Sequence, residues 1–273
     1  METSNSSPQK QMNFPNIVIL TGDDCRHRYF IHHLNAHFSI SEIYIEAGNF
    51  PPPRCCSKEE SIAWDWFFQR RESYEKSLIE KSAQLKAKNK PKTTYLDHNE
   101  INSSQTIAKI KQANPGFLAV FGTSVLREPM LDAFPGQYFN LHLGDPEFYR
   151  GSSCNFWPIY QGEFHHLSAT IHRIDQNIDT GDILSRQAIT IQESDNEQTL
   201  LLKPLTVGTK LMIETIQKWQ DGCLQFIPKS KSGKLYKKTD FKPEVILKFK
   251  QMVESGELNN LIQARSTKSL AGI

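Results

Sequence analysis

A carboxamide, an imidazole and a carboxylate, Asn140, His142 and Asp179, fall within one stretch between Phe139 and Leu184. An amide N–H can donate to an oxygen that gains negative charge. An imidazole titrates near pH ~6.5 and can move a proton, and a carboxylate can hold it in place. Tyr138-Phe139-Asn140-Leu141-His142 alternates as a strand does, so Phe139 and Leu141 face one side and Asn140 and His142 the other. Gly144, Pro146 and Gly151 then break the strand into a loop. Ala169-Thr170-Ile171-His172-Arg173-Ile174 alternates again, with Thr170 and His172 on one side, and Ile178-Asp179-Thr180-Gly181-Asp182 reads as a turn-rich loop. The chain thus offers an acid/base site with a hydrogen-bond donor beside it, drawn from two strand ends. Alone, Asn140 and His142 also fit a satisfied polar pair at a strand end.

The elements that must position these groups follow from apolar runs and breakers. Asn16-Ile17-Val18-Ile19-Leu20, ending in Thr21-Gly22, reads as the first buried strand of a parallel sheet. Asp23 or Asp24 caps the helix after it, with Ile31, Leu34 and Phe38 as its apolar stripe. Arg26, His27 and Arg28 at its start either meet an anion or form a solvated face. Residues 42–46 alternate as a second strand, and Pro51-Pro52-Pro53 stops regular structure. Residues 61–88 read as a long helix with Trp64, Phe67, Phe68, Tyr74 and Leu78 on its apolar face. Residues 51–92 are expected as a helical insertion that packs on its own core, contacts a second copy of the chain in a homodimer, or arms the site. Arg70-Arg71 suits a solvated face better than an anion contact. A brief strand at 93–96, a helix at 107–114, a central parallel strand at 117–122 and a short helix at 128–134 follow. A helix is expected over 199–219, with Pro204 near its start and Asp221-Gly222 ending it. Residues 228–234 read as a basic loop or linker, and 241–262 as a short helical tail.

The fold class is α/β: three layers around a mostly parallel sheet, with the site at the carboxyl ends of the strands and a small C-terminal appendage. A chain of 273 residues with 38% hydrophobic and 23% charged residues can bury a core. A net charge of +2 gives no general pull toward nucleic acid or anionic membrane, and no segment nears the ~20 apolar residues that span a bilayer. Residues 1–15 are polar, lack a hydrophobic signal core and read as a disordered lead, so a cytoplasmic location is expected. The five cysteines show no CxxC spacing and read as thiols. Ligand spacing for zinc is not found, His165-His166 reads as loop surface, and no metal is required. The Lys-rich stretch 229–238 lacks interleaved stacking residues, which argues against a nucleic acid partner.

Asn140-x-His142, Arg150-Gly151, Thr170-x-His172 and Asp179-Thr180-Gly181 together resemble the signature of the folate-dependent formyltransferases. That family includes the glycinamide ribonucleotide, methionyl-tRNA and amino-sugar N-formyltransferases. The resemblance spans about residues 116–190. It implies a catalytic domain over 16–222, a short extension over 223–273, and transfer of a formyl group from 10-formyltetrahydrofolate to a small-molecule amine. It further implies Asn140, His142 and Asp179 as catalytic, and Phe121, Gly122, Ser124, Val125, Asp175 and Ile178 as binding the folate. Arg150 and His172 are implied near the acceptor, although Arg150 equally suits carbonyl contacts and His172 a structural bond to a loop carbonyl.

Two departures bear on the acceptor. Leu143-Gly144-Asp145-Pro146 replaces the family's common Ser-Leu-Leu-Pro, and Thr21-Gly22-Asp23-Asp24 stands where the glycinamide enzyme has its Gly-Ser-rich phosphate loop. Asn155-Phe156-Trp157 and Thr180-Gly181-Asp182 are closer to the sugar enzymes, so the resemblance implies an amino sugar or nucleotide-linked amino sugar ahead of methionyl-tRNA or glycinamide ribonucleotide. Two other classes remain. A hydrolase would release formate with the same three residues, and a binding protein would hold folate without turnover.

Overall fold

The computed structural model describes residues 15–48 and 53–270, with side chains to residue 265. Residues 1–14 of the expected lead and Pro51-Pro52 lie outside the described residues. A seven-stranded sheet organises the rest. Its strands are β1 (Asn16–Gly22), β2 (Glu42–Glu46), β3 (Lys92–Leu96), β4 (Pro115–Phe121), β5 (Tyr138–His142), β7 (Ser168–Arg173) and β8 (Ile183–Ala188), in the order β3-β2-β1-β4-β5-β7-β8. The first five of these in chain order are mutually parallel, whereas β7 runs antiparallel to β5 and β8 antiparallel to β7. A separate two-stranded ribbon pairs β6 (Tyr149–Gly151) with β9 (Lys234–Tyr236).

Strand alternation sorts the side chains into two layers. Ile17, Ile19, Phe117, Ala119, Phe139, Leu141 and Ile171 meet Phe30 and Leu34 of α1 (Cys25–His37) and the Leu205, Met212 and Ile216 stripe of the long helix α6 (Glu197–Gln220). Val18, Leu20, Tyr44, Leu118, Val120 and Tyr138 face the other way, onto Ile107 and Ile110 of α3 (Ser104–Gln112) and Met130 of α4 (Glu128–Leu131). The three-layer α/β class is therefore as expected. Asn140 and His142 lie on the α3–α4 side, past the edge of those two helices' contacts.

The helix expected within residues 51–92 is the body of a crossover connection. The helix α2 (Lys58–Ser82) joins β2 to β3, which pair side by side in parallel, so the connection must cross the sheet. Ala63 and Phe67 are buried, but Tyr74 points outward. Phe67 packs in a second core with Phe156 and Trp157 of α5 (Trp157–Tyr160), Phe249 of α7 (Pro243–Glu254) and Leu258 of α8 (Glu257–Leu270). The single tail expected over 241–262 is thus two helices, and both pack on this second core. Pro204 sits inside α6 rather than at its start. Its missing N–H weakens the helix ladder there, and Asn155 Nδ2 supplies a bond to the nearby Leu201 carbonyl at 2.8 Å. Among the described residues, no helix is long and apolar enough to cross a membrane.

Candidate active site

The register of β5 on β7 sets Asn140 opposite His172 and His142 opposite Thr170. Directly paired residues on antiparallel strands project to the same face, so four polar side chains come to one patch. Thr170 Oγ1 donates to the Gly144 carbonyl at 2.7 Å and holds the turn after β5 against the sheet. A Cβ on Gly144 would lie 2.9 Å from His142 Nε2 and 2.7 Å from Cys154 Cβ, so only glycine leaves the imidazole its place.

Asp179 completes the patch from the loop between β7 and β8. Its Oδ2 lies 3.4 Å from His142 Nδ1 and its Oδ1 3.2 Å from His172 Nε2. Each imidazole turns its other nitrogen to a backbone carbonyl: His142 Nε2 to Tyr149 O at 2.9 Å, and His172 Nδ1 to Arg173 O at 2.8 Å. Asn140 Nδ2 lies 3.0 Å from His172 Nε2. When His172 is neutral and gives its Nδ1 proton to Arg173, its Nε2 lone pair accepts from the Asn140 amide. A second proton at Nε2 would go to Asp179 and displace that amide N–H. One carboxylate, two imidazoles and one amide thus share protons in a space where both imidazoles are buried and Asp179 nearly so.

The electrostatics follow from that burial. Burial alone would raise the Asp179 carboxyl, but the His142 and His172 imidazoles and the Gly151 N–H, 2.7 Å from Oδ2, outweigh it and hold it well below the usual carboxylate range. Burial pushes the His142 imidazole down; Asp179 pulls it back up, His172 presses it further down, and the Tyr149 carbonyl favours the charged form.

Asn140, His142, His172 and Asp179 are brought together, and Arg150 lies beside them without entering the cluster. Its Nε donates to Gly233 O at 2.8 Å and its Nη1 to Ile178 O at 3.2 Å, which are carbonyl contacts of the kind weighed from the sequence. The residues expected to grip folate divide. Val125 and Ile178 are exposed apolar side chains, 57% and 39% accessible, and open to a ring. Phe121 is buried, its ring against His27 and Phe30, so its side chain serves the core. Ser124 gives both its backbone N–H and its hydroxyl to buried Glu46, at 2.6 and 2.9 Å. Asp175 Oδ1 accepts from Asn177 N and Thr180 Oγ1, which shapes its own turn. Gly122 takes φ 76°, open to glycine at little cost.

His27 is corrected from both readings weighed for it, since it is 3% exposed. Its ring fills the space left by Gly22 and Gly122, where an added Cβ would come within 2.6 Å and 2.1 Å of it. Burial holds its pKa well below the usual imidazole value, so it stays neutral. Arg26 pairs with Asp24 and Glu75, Arg28 with Asp23, and Arg70 with Glu197. The contacts to the candidate site residues that sequence reasoning missed come from Glu46, the Tyr149 carbonyl and Lys229, whose ammonium donates to the Asp179 carbonyl. Glu46 ends a strand as a lone acid, a weak signal; the other two left none.

A family model described as formyl transferase matches residues 53–216, more than half of the chain. A methionyl-tRNA formyltransferase from Thermodesulfovibrio yellowstonii is 35% identical over 130 residues, covering 47% of this chain and 41% of that relative. The chain thus spans under half the length of that curated relative. Two solved structures share the fold. A sugar N-formyltransferase from Shewanella sp. has a TM-score of 0.55 at 14% identity, covering 85% of this chain and 86% of that one. An N-formyltransferase from Helicobacter canadensis, in complex with folinic acid and dTDP-3-aminofucose, has a TM-score of 0.51 at 16% identity, covering 84% and 78%. The sheet, the shared patch at the end of β5 and the family match lead to one placement: the chain belongs to the formyl transferase family.

Proposed function

We propose that this chain transfers a formyl group from 10-formyltetrahydrofolate to an amine, with Asn140, His142 and Asp179 as its reacting centre. The observation that carries the proposal is the Asp179 carboxylate set between two buried imidazoles, with the Asn140 amide beside them. The amine lone pair adds to the formyl carbon, and the carbonyl electron pair moves onto oxygen. Collapse of that intermediate breaks the bond to the folate nitrogen, which takes up a proton as the amine loses one. Asn140 offers a neutral amide N–H to the oxygen, and His142 a proton donor or acceptor whose protonation Asp179 governs. We read His172 as a positioning residue, since its Nε2 meets the Asn140 amide and its Nδ1 the Arg173 carbonyl. The exposed Val125 and Ile178 side chains offer the apolar surface that a pterin ring would cover.

Our leading acceptor is an amino sugar or nucleotide-linked amino sugar. It rests on Asn155-Phe156-Trp157 and Thr180-Gly181-Asp182, and on the dTDP-3-aminofucose bound by a protein of the same fold. Two aspartates and their arginine partners at the start of α1 also leave a terminal phosphate little welcome there. A second acceptor, methionyl-tRNA, is favoured by the 35% identical relative.

The test is consumption of 10-formyltetrahydrofolate by the purified chain, with amino sugars, nucleotide-linked amino sugars or methionyl-tRNA, beside His142→Ala. Amine-dependent release of tetrahydrofolate that the variant loses supports the proposal and identifies the acceptor class. Release without any amine would replace it with a hydrolase, and folate binding without turnover with a binding protein.

A further inference from the structure

Asp179 occupies an unusual turn. It is a non-glycine residue at φ 51°, in the left-handed region that side chains other than glycine, asparagine and aspartate avoid. Two residues on, Gly181 packs so closely that a Cβ there would fall 1.9 Å from the Arg173 carbonyl. Aspartate tolerates that region, so the geometry of the turn is fixed by the bonds made to it. Here the holders are two cations on consecutive carbonyls: Arg150 Nη1 on Ile178 O at 3.2 Å, and Lys229 Nζ on Asp179 O. The Gly151 N–H takes the carboxylate itself at 2.7 Å.

Lys229 is delivered by a segment stitched down on both sides. Before it, Ile227 exchanges two backbone bonds with Ile183, at 3.0 and 2.7 Å. After it, Ser230 gives its N–H and its hydroxyl to Glu147, each at 2.6 Å, and Gly233 bonds Pro146 O through its N–H and Arg150 Nε through its carbonyl. The basic loop or linker read from the sequence over 228–234 is therefore a strap tied down beside the candidate centre.

We propose that Lys229 is a positioning residue for this centre: with Arg150 it fixes the turn from which the Asp179 carboxylate reaches both His142 and His172. The proposal rests on the reading of Asn140, His142 and Asp179 as the reacting centre, although the turn geometry stands without it. Lys229 sits among Asp179, Asp175 and Glu147, with Arg150 as the like charge beside it. Around the two imidazoles and Asp179 the other facing groups are Asp145, Cys154 and the Tyr149 carbonyl.

The experiment compares Lys229→Met and Lys229→Arg with the parent chain and Asp179→Asn, by proton NMR titration of the His142 and His172 rings and by kcat/KM with 10-formyltetrahydrofolate and a nucleotide-linked amino sugar. Without the ammonium the carboxylate leaves Nδ1, so the His142 midpoint falls toward that of Asp179→Asn, and kcat/KM drops ~10-fold or more with KM for the donor little changed. Lys229→Arg restores most of both. In an Asp179→Asn background Lys229→Met costs nothing further. A His142 midpoint unmoved by Lys229→Met, or the same rate loss with and without Asp179, overturns the proposal. The titration needs no turnover, so an inert parent chain whose His142 still shifts would sink the transferase reading and leave the positioning role standing. Should Lys229→Met not fold, Lys229→Gln makes the same comparison.

Discussion

Two largely buried acidic groupings are built from different cations, one at Asp179 and one in the loop after β5. Asp179 stands between two imidazoles, groups that can exist with or without charge. Asp145 and Glu147 share the guanidinium of Arg186, at 2.9 and 2.6 Å, a group that never loses its charge in water. Ser230 and Arg186 bring the Glu147 carboxyl down to about 2. The contrast teaches how one loop serves two ends. The guanidinium grouping is a permanent fastener tying β8, the loop after β5 and the strap to one another, and the imidazole grouping is built from side chains that can take up or release a proton. Only the second can do acid/base chemistry.

The sharpest break of that contrast is to remove the titrating member. His142→Ala is expected to lower kcat/KM per folded molecule by about 10²–10⁴, the range for loss of one acid/base group, out of proportion to any loss of stability. Arg186→Met should do the reverse. It leaves Asp145 and Glu147 charged, largely buried and without their cation, and is expected to cost about 1–3 kcal/mol in urea unfolding, discounted for the partial exposure of Arg186. Activity per folded molecule would fall far less than with His142→Ala. An Arg186→Met chain as stable as the parent would show the fastener to be idle.

Acid separates the two groupings without mutation. His142 has a folded-state pKa below its unfolded value, so the unfolded chain binds its proton first. Its contribution to stability is full above pH ~6.5 and declines as pH falls from there toward the folded value. Glu147 is also lowered, from 4.5 to about 2, so its contribution is full above about 4.5 and is lost as pH falls toward about 2. Urea midpoints measured from pH 7 to 3 should therefore fall in two windows. His142→Ala should shrink the upper one, which His27 shares, and Arg186→Met the lower, which Asp179 shares. A single window unaffected by either variant would erase the distinction.

Which parts were legible in the sequence follows from how far each signal reaches. The period-2 alternation of residues 138–142 and 168–173 is local, and it placed Asn140, His142, Thr170 and His172 on common faces before their register was known. β8 escaped because it is an edge strand with Ile183 alone buried, so Ile183–Ala188 shows no in-and-out contrast. β6 and β9 are three residues each and meet across more than eighty positions. The crossover role of α2 was hidden because it depends on the parallel pairing of β2 with β3, a long-range fact. Lys229 and the Tyr149 carbonyl carry no residue-type signal at all: the first looks like solvated charge, and the second is backbone.

The smallest expected effect concerns a third carboxylate, Glu46, which resembles neither grouping. It is 3% exposed, ends β2, and accepts both donors of Ser124 across the carboxyl edge of the sheet. Those bonds shape the loop after β4, whose next residue, Val125, is among the exposed apolar side chains there. Glu46→Gln keeps one acceptor oxygen and almost the same volume, so one of the two bonds survives and no imidazole is touched. KM for 10-formyltetrahydrofolate is expected to rise ~3–10-fold with kcat nearly unchanged, the pattern for lost ground-state binding. The His142 titration should stay where it is. If kcat fell with KM constant, the loop after β4 would belong with the imidazole grouping, and the division drawn between holding the donor and moving its protons would have to be redrawn there.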